Sequence, residues 1–262
     1  MAKKQTGNGQ AADNGVAVAD GPAVNGSLPL YAQPHAVHSV SHRDVAVKTG
    51  SGDYAFAARA PMVQVTVDEV ERAALDYPIV FFGADRQPYA VTGVEGERNL
   101  FVTEGQFRTG SYIPAYLRRY PFVFARDEGS DALILCLDHA SDRIGRTGDE
   151  GAEALFDGDQ PTALTQQALF FCESYEAAAQ RTRAFTTLLD ELNLFEGRQA
   201  HYAAPGAAEP TLLLDYATLD RARLDALSGG ELQRLRDGGF LAASYAVTAS
   251  QAQWDVLALM GG

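Results

Sequence analysis

The chain has 262 residues, enough to bury one substantial core, and a formal net charge of -13 from 34 acidic against 21 basic residues. That balance disfavours nucleic acid and anionic lipid as partners. Two cysteines, Cys136 and Cys172, are too few for a disulfide framework. No run approaches the ~20 apolar residues of a membrane-spanning helix. No apolar segment follows Lys3 and Lys4 to make a signal peptide, so the expected location is cytoplasmic, with nonclassical export left open.

Residues 1–27 are rich in Gly, Ala, Asn and Asp without an aromatic side chain, and predict a disordered tail before a single domain over 28–262. From 28 to 60 the pattern is ambiguous. His35, His38 and His42 would share one face of a helix, where three imidazoles suit zinc or iron. Pro34 and the β-branched Val37, Val40, Val45 and Val47 argue instead for extended chain, which splits the set.

Met62 to Val67 predicts a strand, and Asp68 caps a short helix from Glu69 to Leu75. The apolar run Tyr77 to Phe82 reads as a buried strand, followed by strands at Tyr89–Val94 and Leu100–Val102 across short polar turns. This spacing predicts an antiparallel meander within an α+β fold. Ile113 to Arg119 predicts a short helix with Pro114 in its first turn, ended by Pro121. Strands at Phe122–Ala125 and Leu133–Leu137 flank a turn at Asp127–Asp131. The second is apolar on both faces, as a central strand is.

Gly145 to Gln160 reads as loop. Leu164, Ala168, Phe171, Tyr175, Ala178, Thr182, Phe185, Leu188 and Leu192 then recur at spacings of three and four, predicting a long amphipathic helix capped by Thr162 and closed by Asn193 and Gly197. Beyond an Ala- and Pro-rich connector at 201–209, Thr211–Tyr216 predicts a strand. Leu219–Leu227 and a segment opened by Ser228 with Glu231 in capping-box position predict helices. Phe240–Val247 fits strand or helix, and Gln251–Met260 helix. The run Leu227-Ser228-Gly229-Gly230-Glu231-Leu232-Gln233-Arg234 resembles the signature motif of ABC transporter ATPases. That motif needs a partner loop of the form Gly-x-x-x-x-Gly-Lys-Ser/Thr, and none of the three lysines sits in one.

Three groups of residues carry candidate chemistry. Ser111 to Phe122 packs four aromatic rings, two prolines and the pair Arg118 and Arg119, so Arg118, Arg119, Tyr112 and Tyr116 are candidate ligand-binding residues, suited to holding a carboxylate. At the end of a buried strand, Asp138 and His139 are candidate catalytic residues. With His42 they also offer the two histidines and one carboxylate of a nonheme iron site, which makes iron the candidate cofactor, with Cys136 nearby. An Asp138–His139–Ser141 triad is not expected, because neighbours on one strand end seldom converge.

Three blocks together resemble the SapC family of bacterial proteins. They are Tyr77–Phe81 with Asn99–Val102; Tyr112–Phe122 with Cys136, Leu137, Asp138 and Ser141; and the C-terminal part around Leu232, Leu235, Gly239 and Ser250. His42-Arg43-Asp44 is similar to the family's histidine-containing start. The likeness spans about Ser41 to Leu257 and excludes the tail.

The resemblance implies a single folded unit. The family is named from surface-layer gene clusters. Other members are similar to products encoded beside TonB-dependent receptors, flavin-dependent halogenase-like proteins and cupin-like oxygenases. No catalytic residue comes with it. Two functions follow as expectations: an accessory or binding protein for a peptide, protein or small ligand, or else a metal-dependent oxygenase or peptide-modifying enzyme. A structural surface-layer subunit is a third, weaker fit, since no export signal is visible.

Overall fold

The computed structural model describes residues 28–49, 52–126, 132–203, 206 and 209–261. The expected tail and the turn at Asp127–Asp131 lie outside these residues. The fold is α+β, as the pattern of strands and helices predicts.

Five antiparallel strands form the main sheet, in the spatial order Phe195–Tyr202, Thr211–Leu219, Ile79–Phe82, Gln87–Val91 and Met62–Gln64. A second sheet places Leu133–Asp138 between Pro34–Ala36 and Phe122–Arg126, the central position that its two apolar faces predict. A third pairs Val45–Lys48 with Ile144–Arg146 on one side and Ala152–Ala154 on the other. Two short hairpins, Val102–Thr103 with Gln106–Phe107 and Phe156–Asp157 with Gln160–Pro161, complete the strands.

Seven helices are seen among the described residues: α1 (Val67–Ala73), α2 (Ala115–Arg118), α3 (Ala163–Glu191), α4 (Arg221–Asp225), α5 (Gly229–Asp237), α6 (Leu241–Ser250) and α7 (Gln253–Gly261). The 29 residues of α3 make a rod about 44 Å long at 1.5 Å per residue. Its C-terminal half buries Phe185 and Leu189 in the core above the main sheet. Its N-terminal half sends Ala168 and Cys172 into a cluster with Val45, Phe122 and Leu137, and Tyr175 into one with Tyr116, Leu117 and Cys136. One helix thus ties the large sheet to the two small ones.

Several boundaries differ from the sequence expectation for identifiable reasons. α1 begins at Val67 because Thr66, not Asp68, is its N-cap, and the Glu69 carboxylate reaches back to the Thr66 N–H at 2.8 Å. Pro114 is the N-cap of α2 rather than a first-turn residue. The third strand of the expected meander pairs locally with Gln106–Phe107 and leaves the main sheet. The region 145–160 holds strands where loop is expected, since its alternation is hidden among Gly and acidic residues. Phe195–Tyr202 forms the edge strand of the main sheet, which its Gly197 and charged residues mask. Ser228 and Glu231 do form a capping box, so the ABC-like run is a helix start.

Candidate functional site

The stretch Tyr112 to Phe122 supplies the site because α2 is a single turn whose two arginines point to different places. Arg118 is exposed. Its Nε donates to the Ile113 carbonyl at 3.0 Å and its Nη2 to the Tyr112 hydroxyl at 3.2 Å, and its guanidinium lies over the rings of Tyr112 and Phe171 at 5.7 and 5.4 Å. Arg119 turns inward. Its guanidinium carbon sits 4.1 Å from the centroid of Tyr175, 4.4 Å from Tyr116 and 5.6 Å from Tyr31.

The three tyrosines of this cage are oriented by their hydroxyls. Tyr31 donates to the Phe122 carbonyl at 2.9 Å, Tyr116 to the Pro29 carbonyl at 2.6 Å and Tyr175 to the Gln64 side-chain oxygen at 3.3 Å. Arg119 meets the ring faces and the hydroxyl oxygens of Tyr31 and Tyr116, which accept from it, and π faces attract a cation by up to about 2 kcal/mol when water is excluded. Burial pushes all three phenols above their ordinary range. They stay neutral, so the cage holds the guanidinium without cancelling its charge. Arg119 Nε is buried with no hydrogen-bond partner.

Arg119 lines a pocket of about 300 Å³ that also receives Lys48, Arg118 and Arg143 and no acidic residue. Among the described residues, none of these four cations forms an ion pair with a carboxylate. Arg143 donates instead to two main-chain oxygens, Tyr120 at 2.7 Å and Asp53, and lies over the rings of Tyr54, Phe56 and Tyr120. The apolar wall comes from Phe122 and from Leu164, Ala168 and Phe171 along one side of α3. In a chain of net charge -13, this cavity is lined by four cations and no acid, so its local field is positive.

Asp138 serves this pocket indirectly. It is 1% exposed, and its carboxylate accepts from Gln33 N at 2.8 Å, Ala32 N at 3.2 Å, Ala140 N at 3.2 Å and the Tyr120 hydroxyl at 3.3 Å. Two of those donors belong to the segment 28–36, which brings Tyr31 over Arg119. His139 adds an N–H bond to the Gln33 carbonyl at 2.9 Å. Asp138 thus fastens the segment that closes the cage.

The histidines gather beside it. His42, 1% exposed, has its Nε2 2.9 Å from His139 Nε2, and the His35 ring centroid lies 4.9 Å from that of His139. His38 N–H and the Ser41 hydroxyl flank His42 Nδ1 at 3.2 and 3.1 Å. Burial, the nearby His42 and His35 imidazoles adding to it, holds His139 at about 4, and burial lowers His42 as well. Both rings are neutral and share one hydrogen bond.

The structure therefore places His42 beside His139, while the Asp138 carboxylate is occupied by four donors, none of them an imidazole. Among the described residues no group of three His, Cys, Asp or Glu is placed to hold a metal ion, and this set does not fit a two-histidine, one-carboxylate iron centre. Ser141 accepts the Arg143 N–H at 3.2 Å and forms no triad with its neighbours.

Of the expected ligand-binding residues, Arg119 and Tyr116 belong to one cage. Tyr112 instead joins Arg118 to the buried Glu69, to which its hydroxyl donates at 2.8 Å. Lys48, Arg143, Tyr31 and Tyr54 were not legible as site residues. The one available signal was that Lys48 is the only lysine beyond the tail.

The fold and site define an α+β chain built around a cation-lined pocket with a caged arginine; among the described residues no helix is long and apolar enough to cross a membrane. The family model for SapC matches residues 37–257, and the chain belongs to the SapC family. No curated protein and no solved structure matches it.

Proposed function

We propose that the chain is an accessory binding protein whose pocket takes a negatively charged group, carried by a small ligand or by a peptide or protein partner, within a surface-layer or TonB-receptor-associated system. The observation that supports this reading is Arg119, held by three neutral rings, with a buried Nε lacking any acceptor, in a cavity without a single acid. An arginine kept for structure alone is normally paired, since burying an uncompensated charge is costly. The system is suggested by the family and its gene surroundings; the pocket supplies the binding chemistry.

The test is co-purification with native mass spectrometry. Tagged wild type is compared with a Lys48→Glu, Arg143→Glu double variant that reverses the pocket's charge but spares the cage. Loss of a co-eluting molecule or partner in the variant supports the reading. An identical set of bound species in both proteins refutes it.

A further inference from the structure

Resting on that reading of the pocket, we infer that the group it takes is a compact dianion, with two negative charges on one centre or a few bonds apart, in preference to any monoanion. The cations outnumber what a single negative charge can match. Lys48, Arg118, Arg119 and Arg143 line one cavity of about 300 Å³. Acids that neighbour them along the chain or through bonds are engaged elsewhere. The Asp53 carboxylate accepts from Ala55 N at 2.8 Å, and Glu153 accepts from the Thr49 hydroxyl at 2.8 Å. Glu69 accepts from Thr66 N and Ala115 N, each at 2.8 Å, and reaches Arg118 only through the Tyr112 hydroxyl.

Even with Arg118 set aside, Lys48, Arg119 and Arg143 remain. Arg119 and Arg143 are half-buried, and an arginine cannot shed its proton, so those two charges are permanent. Tyr31 and Tyr116 accept from Arg119 but are neutral and leave its charge whole. The field of a guanidinium depends on where its charge sits, whichever N–H points inward. A monoanion would cancel one of the three charges and leave two beside it in a partly dry cavity, where like charges repel more strongly than in water. A dianion cancels two and is attracted by every cation twice over.

A dianion gives up more hydration than a monoanion on entering, and donors must replace it. Arg118 and Arg143 each spend two of five N–H donors on neutral oxygens of the protein, which leaves three apiece. The exposed Lys48 ammonium adds its own. Two oxygens of one carboxylate fall short of that supply, whereas a phosphate or a short dicarboxylate brings three or four acceptors. The volume stands at the small end of the range ~300–1,000 Å³ for ligand sites, so both charges belong to a body of about one ring, not to a nucleotide or a long lipid.

The experiment uses the full chain and two pairs of probes, matched in shape and differing in charge. Succinate is compared with its monoamide succinamate, and phenyl phosphate with benzenesulfonate, at about pH 8 where the phosphate carries nearly its full second charge. Binding is read by ligand-observed NMR and calorimetry. In at least one pair the dianion should bind on the order of tenfold more tightly than its monoanionic partner. The pair with the larger ratio tells whether the two charges sit on one centre or on two.

Lys48→Gln and Arg143→Gln each remove one positive charge, and each should shrink that ratio by roughly threefold, because the dianion loses twice what the monoanion loses. Should Arg143→Gln fail to fold, the exposed Lys48→Gln still decides. A ratio below tenfold in both pairs, or one that Lys48→Gln leaves unmoved, overturns the dianion. If the Lys48→Glu, Arg143→Glu variant then abolishes binding of the probes, the anion pocket itself stands. Failure of all four probes to bind the wild type overturns the pocket as well.

Discussion

Asp138→Asn separates a fastening role from a catalytic one. The wild-type carboxylate is 1% exposed and offers one oxygen to Gln33 N and Ala140 N and the other to Ala32 N and the Tyr120 hydroxyl. An asparagine keeps one oxygen and puts an NH₂ where the other stood. The cheaper orientation turns that NH₂ toward Ala32 and Tyr120, because the tyrosine hydroxyl can rotate to become an acceptor. The Ala32 N–H cannot, and it faces another donor. A buried donor left unpaired costs about 1–3 kcal/mol, and the loss of charge weakens the two bonds retained, so a total near 3 kcal/mol is expected. That is a large share of the roughly 5–15 kcal/mol typical of a folded protein.

Urea denaturation at unchanged m-value measures the loss, and hydrogen exchange locates it. The amides of Ala32 and Gln33 should lose protection before those of the main sheet, and Tyr31 should loosen from Arg119. A variant within about 0.5 kcal/mol of wild type, with exchange at Ala32 and Gln33 unchanged, would refute the fastening argument.

Three further outcomes follow from the same contacts. The folded chain resists protonating His139 until about pH 4, while an unfolded histidine takes its proton near 6.5. The unfolded state therefore binds more protons between these values. Stability is full above about pH 6.5 and falls on acidification, by on the order of 3 kcal/mol for this group; a His139→Gln variant with an undiminished slope between pH 7 and 5 would contradict this. Burial pushes the Cys136 and Cys172 thiols up to about 11, so a disulfide reagent at pH 8 should label neither in the folded protein and both in guanidinium, and rapid native labelling would show the burial to be wrong. Ser228→Ala should cost about 1 kcal/mol through the lost cap, and calorimetry with ATP should show no binding before or after; ATP binding abolished by the substitution would revive the transporter-like reading of Leu227–Arg234.

The sequence made the large elements legible where a single periodicity ran unbroken. α3 is readable from Leu164 to Leu192 because each apolar residue returns at three or four, and Ile79–Phe82 because nothing polar interrupts it. The edge strand Phe195–Tyr202 is not, because Gly197, Arg198 and Gln199 face solvent on an edge and, with the half-buried Glu196, hide the alternation. The strands within 144–161 are two or three residues long, shorter than any pattern needs to declare itself.

The site divides the same way. Arg118 and Arg119 stand out as a pair, but adjacency on a single helical turn cannot say which one turns inward. That is settled by Tyr31 and Tyr175, which lie 88 and 56 positions from Arg119 and reach it through separate elements. Likewise the link from Asp138 to Arg119 passes through Ala32 and Gln33, over 100 residues upstream of the carboxylate.

This arrangement explains why an acidic protein keeps its pocket positive. Among the described residues, the arginines outside the pocket commonly meet a nearby acid: Arg181 pairs with Asp68, Arg221 with Asp225 and Arg234 with Glu191. Around Arg119 the partners are neutral tyrosines, whose hydroxyls donate their own protons to Phe122, Pro29 and Gln64. Rings hold a guanidinium in place while leaving its field intact, whereas a carboxylate would hold it and cancel the field. A net charge of -13 repels anions at a distance, but the charges are screened beyond about 8–10 Å at physiological salt. Inside the cavity, the four uncancelled cations dominate. On the function proposed above, a ligand is selected at short range, by fit to the cation-lined cavity and its apolar wall, and gains little from long-range steering. The association rate of an anionic probe should accordingly change little between 50 and 300 mM salt, while Arg119→Lys acts on its dissociation rate; a steep fall in association rate with salt would show instead that the pocket's field reaches beyond its mouth.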